Sequence, residues 1–351
     1  MKRTALLAGI CWVGAHLVAP AQSNTQRRDY NWSYTLSATD QVEFLDKYGE
    51  LIINTTTGKT LTVAVTVETW ASNPSAAERL LREVTVRHTN AQGIYSFATT
   101  LPEQGNYSRS YGFKVTYRVE VPQATRLRVQ EHYGRVYLAD FTGPLQLRVK
   151  YGQLKADRLT GNALKELELG YSSAQVGMLE NGLLDLSYTS GTCEISECKD
   201  IRLKMRYSKF NSPTAGRVLV DAAYSTLNFG TIDHLEGTTA YTGFQIRELA
   251  RSLVLSSRYM SGFTLERLSP SFERVDLEGT YSSFTLGIPS GLRASFENTF
   301  SYGDLQGDTP IVYSVREREP TTKYYQGKLG GGGSLIRSNL RYGDLRLRPA
   351  N

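Results

Sequence analysis

The residues able to do chemistry in this chain are few and scattered. Glycoside cleavage needs carboxyl groups held at one locus, and the acids nearest to a pattern are Asp157 and Glu194, each six residues beyond a recurring tyrosine. Gly177 holds that position in the intervening segment, so the two have no continuous column to share. Glu166 and Glu168 lie on the alternate, polar parity of their segment and read as a solvated face. Thr231-Ile232-Asp233-His234 sets one acid beside one imidazole with no acidic cluster near it. His88, His132 and His234 are scattered and no second cysteine pair exists, so no metal site is expected. Cys193 and Cys198 leave two readings open, a small disulfide loop or two buried thiols. With no nucleotide loop and no Ser-His-Asp arrangement, no catalytic residue and no cofactor is assigned, and the chain reads as non-enzymatic.

One residue type does recur. Tyrosine followed by Gly, Ser, Thr or Met stands at Tyr133, Tyr151, Tyr171, Tyr188, Tyr207, Tyr224, Tyr241, Tyr259, Tyr281 and Tyr302, at intervals of 17 to 22 residues, with outlying copies at Tyr48 and Tyr342. Aromatic rings can serve as binding platforms for sugars, which makes Tyr133, Tyr151, Tyr171, Tyr207, Tyr224, Tyr241, Tyr259 and Tyr281 the candidate binding residues. Lys150, Arg206 and Arg258 beside them offer attraction to anionic polysaccharide or lipid headgroups. The competing reading is a structural ladder, because the tyrosines share the parity of the apolar residues before them.

That parity defines the elements. Leu145, Leu147 and Val149 precede Tyr151 at even offsets, as Ile201, Leu203 and Met205 precede Tyr207. Beyond each tyrosine the apolar positions move to odd offsets, as with Val136 and Leu138 after Tyr133, or Leu227 and Phe229 after Tyr224. A side-chain period of two tolerates such a slip only at a bend, bulge or corner, and Gly or Ser after the tyrosine is expected to permit it. Each repeat is too short to hold a crossover helix and cannot bury an apolar face alone, so repeats should stack. The expected fold class is all-β: a parallel β-solenoid of single-stranded coils, 17 to 22 residues each, with a short helix inserted near the N-terminus, favoured over an antiparallel sandwich or barrel because two-residue hairpin turns are scarce between the runs.

Three sections follow. Lys2 and Arg3, the apolar run Ala5–Val18 and Ala19-Pro20-Ala21 read as a signal peptide over residues 1–21. Cys11 lacks the small residue before it that a lipid-attachment site would want. Residues 22–125 form an irregular first section of the solenoid with a helix near 75–83, where Ser75 and Glu78 make a capping box. Residues 126–348 are the repeat coils. Gly330–Ser334 looks like a flexible linker, but Leu335, Leu340, Tyr342, Leu345 and Leu347 resume the repeat, so it reads as a turn into a last coil. The net charge of +6 becomes +4 without Lys2 and Arg3, too weak and too dispersed for nucleic acid. No mature segment is apolar enough to form a membrane helix, and oligomeric state is not legible.

The stretches "VEFLDKYGELIINTTTGKTLTVAVTVE", "AAERLLREV", "HYGRVYLADFTGPLQLRVKYGQLKA" and "SNLRYGDLRL" resemble exported bacterial adhesin-like proteins, the auto-transporter adhesin head-like β-strand repeat family. The resemblance spans nearly the whole mature chain and rests on the repeat, with no catalytic motif. It implies a right-handed β-solenoid in the envelope of a Gram-negative bacterium, in the periplasm, at the outer-membrane surface or outside the cell. It supplies no functional residue. The leading expectation is therefore a structural or interaction module binding an envelope or surface protein or glycan. The alternative is a polysaccharide-active β-helix enzyme, lyase or hydrolase, for which the only hint is the similarity of Thr231–His234 to a short pectate-lyase stretch where acids hold calcium.

Overall fold

The computed structural model describes residues 24–102, 107–108 and 110–350. The signal peptide expected over 1–21, and Cys11 within it, lie outside these residues. The described chain is all-β: 26 strands belong to one mixed sheet, accompanied by a single helix. No described helix is long and apolar enough to cross a membrane.

The repeat builds layers. Leu145–Lys150 pairs in parallel with Arg126–His132 on one side and Lys165–Gly170 on the other, which sets Leu147 beside Val129 and Leu167. The strands Ser173–Ser187, Thr192–Arg206, Lys209–Ala223, Thr226–Ala240 and Gly243–Arg258 each pair in parallel with the next along most of their length. Apolar residues thereby meet their own kind between layers, and Leu147, Leu167, Leu184, Leu203 and Val220 line one buried column. Burying such a side chain contributes roughly 1.5–3 kcal/mol, so the core grows by a similar increment with each layer.

The corner differs from the expected one in two respects. Val149 is buried but Tyr151 is exposed, although the two share parity. The reason is the backbone: every repeat tyrosine, from Tyr48 to Tyr342, lies in the left-handed region with φ between +51° and +65°. One such residue between two extended segments turns the chain, rotates its own side chain outward and shifts the following parity by one. The Gly or Ser after it serves close packing between layers instead. A Cβ at Gly152 would sit 2.3 Å from the Gly134 carbonyl oxygen. Where serine stands there, its hydroxyl is buried and bonded: Ser172 Oγ accepts from the Gly152 amide (3.1 Å) and has the carbonyls of Gly170 (2.8 Å) and Val149 (3.1 Å) as acceptors for its one proton.

Both ends depart from parallel pairing. At the first, Gly49–Thr56 pairs in parallel with Gly112–Pro122, which runs antiparallel to Thr60–Ala71, itself antiparallel to Asn24–Thr35. The helix Pro74–Glu83 packs on the latter two strands through Ala77, Leu80 and Leu81. Its cap is Asn73, whose side chain accepts the Ala76 amide at 2.8 Å, with Pro74 in the first turn. Asparagine before proline outcompetes the Ser75 box because proline's fixed φ suits that first helical position.

The other end overturns the expected order of layers. The segment 334–349 is not the outermost layer. Ser334–Arg341 pairs in parallel with Arg274–Thr280 on one side and Ala294–Ser301 on the other, so the C-terminal segment lies between two earlier ones. The hairpin Val312–Arg318 and Thr322–Leu329 covers the far side of Ala294–Ser301. The four glycines are explained by this path. To reach the slot, Gly330–Gly333 must pass over residues 292–293, where a Cβ on Gly330 or Gly333 would lie 2.8 or 2.6 Å from the carbonyl oxygens of Leu292 and Arg293.

Candidate functional site: a tyrosine ladder along one edge

Because each tyrosine occupies the same corner, the rings form one continuous stack. Its spatial order is Tyr48, Tyr133, Tyr151, Tyr171, Tyr188, Tyr207, Tyr224, Tyr241, Tyr259, Tyr281, Tyr342 and Tyr302, with neighbouring centroids 4.7–5.2 Å apart and planes within 9°. At one layer per strand spacing the ladder is about 50 Å long. All eight sequence candidates are brought together in it. Every ring but Tyr342, at 37 %, is 44–57 % exposed.

The stack limits what the ladder can bind. Each internal ring has both faces against its neighbours, which removes the surface a sugar ring would stack upon. What reaches water is a row of ring edges and phenol hydroxyls, one per layer. Such a row offers hydrogen bonds at regular intervals instead of apolar platforms.

A second column runs beside it. The residues just before the twelve tyrosines include Lys47, His132, Lys150, Arg206, Arg258 and Arg341 and no acid. His132 is held below the ordinary imidazole range by burial and then by the charges of Lys47, Lys150 and Arg148. On the opposite flank a groove of about 600 Å³ follows Tyr48, Tyr133, Tyr151 and Tyr171, bordered by Lys114 and Arg135. A larger groove of about 740 Å³ crosses the outer face of the strands that precede the tyrosines. There the charges pair off, as in Arg148–Glu168 at 2.6 Å and Lys204–Asp185 at 3.0 Å.

The acids singled out by sequence do not converge. Asp157 lies beside Gly177 and accepts the Tyr137 hydroxyl at 2.6 Å. Glu194 lies beside Gln175, in a different column, because Tyr188 is followed by two extra residues before its strand resumes. Glu166 is unpaired among the described residues and Glu168 is engaged by Arg148. Asp233 is exposed, and His234 Nδ1 meets the Ser252 hydroxyl at 2.8 Å. Cys193 and Cys198 are buried on one strand as free thiols, not as a disulfide, and burial pushes them up to about 12 and about 11.

One pair of acids escaped the sequence reading. Asp46 and Glu131 are register partners in adjacent layers, 2 % and 0 % exposed. The Thr99 hydroxyl donates to Asp46 and lies 2.8 Å from the buried Tyr117 hydroxyl, while Asp46 Oδ2 and both Glu131 oxygens have no hydrogen-bond donor. Burial raises both carboxyls, and the Asp46 charge raises Glu131 further, to about 10. Across neutral pH the pair therefore retains a proton. Each acid stands two residues before a ladder tyrosine, in "DKYG" and "EHYG", a signal hidden by the distance between Tyr48 and Tyr133 in the chain. Sealed in the core, the pair has no open path to a substrate.

No protein-family model matches the chain, and no curated protein matches it. Among solved structures, a "putative cell adhesion protein" from Clostridium sporogenes is 9 % identical, covers 92 % of this chain and 99 % of its own, and has a TM-score of 0.23. A "putative adhesin" from Parabacteroides merdae is 8 % identical, with 92 % and 96 % covered and a TM-score of 0.30. A "putative lipid binding protein" from Parabacteroides distasonis is 12 % identical, with 93 % and 98 % covered and a TM-score of 0.24.

Proposed function

We propose that this chain is an exported, non-enzymatic interaction module of the bacterial envelope, a right-handed parallel β-solenoid whose tyrosine edge contacts a protein or glycan. The signal-like N-terminus supports export. The layer-by-layer parallel register supports the solenoid.

The half-exposed twelve-ring ladder carries the reading. A left-handed backbone costs an L-residue roughly 1–2 kcal/mol, and glycine would turn the corner without that cost. Stacking offsets it, at about 0.5–1.5 kcal/mol per pair, yet stacking alone does not require a hydroxyl. All twelve rungs nevertheless carry one, and none is replaced by phenylalanine, whereas the buried tyrosines Tyr117 and Tyr325 bond their hydroxyls inside the protein. A continuous hydroxyl row along one edge suits contact with an extended polar partner.

The test is a screen of the purified protein on bacterial and host glycans and on envelope extracts, scoring bound and cleaved material together. Binding without cleavage, lost on replacing ladder tyrosines, is the expected result. Reproducible cleavage abolished by changing one acid would replace the module with a polysaccharide-active enzyme.

A further inference from the structure

The ladder is not uniform along its length. Around Tyr48, Tyr133 and Tyr151 it is flanked by cations on both sides: Lys47, Lys150 and Arg148 on one, Arg135 and Lys114 on the other. Two acids pair with them at the surface. Glu50 lies 3.0 Å from Lys114, and Glu168 lies 2.6 Å from Arg148 and 3.8 Å from Lys150. Lys47 and Arg135 have no ion pair among the described residues, which leaves a cationic surplus beside the hydroxyl row. The far end lacks this surplus: Asp304 and Asp344 stand two residues beyond Tyr302 and Tyr342, with Lys323 2.7 Å from Asp304 and Arg341 over the Tyr342 ring.

We propose that the section of the ladder from Tyr48 to Tyr151 is a binding site for a linear acidic glycan, its carboxylates met by Lys47, Arg135 and Lys150 and its hydroxyls by the tyrosine edges. This deepens the interaction-module reading and rests on it. Anionic groups favour charge-assisted hydrogen bonds to Lys and Arg. A polyhydroxylated chain lying along the groove can donate to and accept from one phenol per layer. A lipid surface fits less well. Among the described residues the exposed large aliphatic side chains are Ile94, Leu164 and Val312, which lie outside the ladder and its groove and offer no wedge there for the hydrocarbon layer. The larger groove on the neighbouring face is no rival for a polyanion, because acids there match its cations.

The experiment titrates the full mature chain with polygalacturonate, with neutral dextran and phosphatidylglycerol vesicles as comparison probes. The expected result is polygalacturonate binding that weakens as NaCl rises from about 50 to about 500 mM, as screening shortens the reach of surface charges. Lys47→Ala/Arg135→Ala/Lys150→Ala should weaken it roughly tenfold, the scale of three partly exposed charge contacts. Lys199→Ala, a cation away from the ladder, should leave it unchanged, and unchanged thermal midpoints for both variants exclude unfolding. No salt-sensitive binding to polygalacturonate, or binding indifferent to the triple substitution, overturns the proposal. Dextran binding that survives the triple substitution overturns the acidic ligand while keeping the interaction module. Binding to vesicles alone transfers the cations to a lipid role and also overturns it.

Discussion

Tyr281 stacks on Tyr342 at 4.7 Å with planes 7° apart, although Tyr302 is the next ladder tyrosine in the chain. The relation follows from the C-terminal segment entering between two earlier layers, and it changes what a substitution there should do. Leu340 is buried from both sides, as Leu203 is in mid-stack. Leu340→Ala should cost about 2–5 kcal/mol in urea denaturation, like Leu203→Ala. A frayed outermost layer would lose much less.

The glycine bridge gives an independent check. Gly330→Ala and Gly333→Ala place a methyl against the carbonyls of residues 292 and 293. Each should lower stability by about 1–3 kcal/mol and speed proteolytic removal of the C-terminal segment. If both variants matched the parent in melting and digestion, the bridge would not run across that backbone.

Ladder stacking and ladder hydroxyls separate by substitution. Tyr207 lies 4.9 Å from Tyr188 and 4.8 Å from Tyr224. Tyr207→Ala removes two ring contacts and should cost about 1–3 kcal/mol. Tyr207→Phe keeps both and should stay within about 0.5 kcal/mol of the parent, measured by thermal or urea unfolding.

The buried acids set a pH dependence with a definite sign. Both carboxyls titrate higher folded than unfolded, so the folded chain binds more protons once pH exceeds about 4. Their stabilising contribution is complete below that value. It is lost as pH rises through about 6 for Asp46 and about 10 for Glu131. Glu131→Gln should therefore stabilise the protein at pH 8 relative to the parent and do little at pH 4. An equal effect at both pH values would remove the linkage.

Cys193 and Cys198 should be unreactive toward a thiol reagent in the native protein and should both react once it is unfolded, because each is buried with its thiol pushed up. A single oxidised species in non-reducing mass measurement would contradict the free-thiol assignment.

The alternation of apolar residues made the layers legible, since Leu147 and Leu203 repeat a pattern that strand geometry enforces. The corner was located by the parity slip at Tyr151. The direction of the ring was not, because upstream parity places the tyrosine inward and only a left-handed φ at the tyrosine itself turns it out. Repeats that share one apolar pattern also pair acceptably with several neighbours, so the sequence could not say that Leu340 lies between layers that precede it. Asp46 and Glu131 were hidden for the same reason: the layers that bring them together are separated in the chain by the irregular first section.

The most direct test compares the parent with Tyr133→Phe/Tyr151→Phe/Tyr171→Phe in one binding assay, using whichever glycan or protein the screen returns. These changes leave the stack and its cations and delete three consecutive hydroxyls. A folded variant with an unchanged thermal midpoint and clearly weakened binding is the expected result. Full binding by that variant would show that the phenol row is not the contact surface, and the ladder would stand as a structural spine alone.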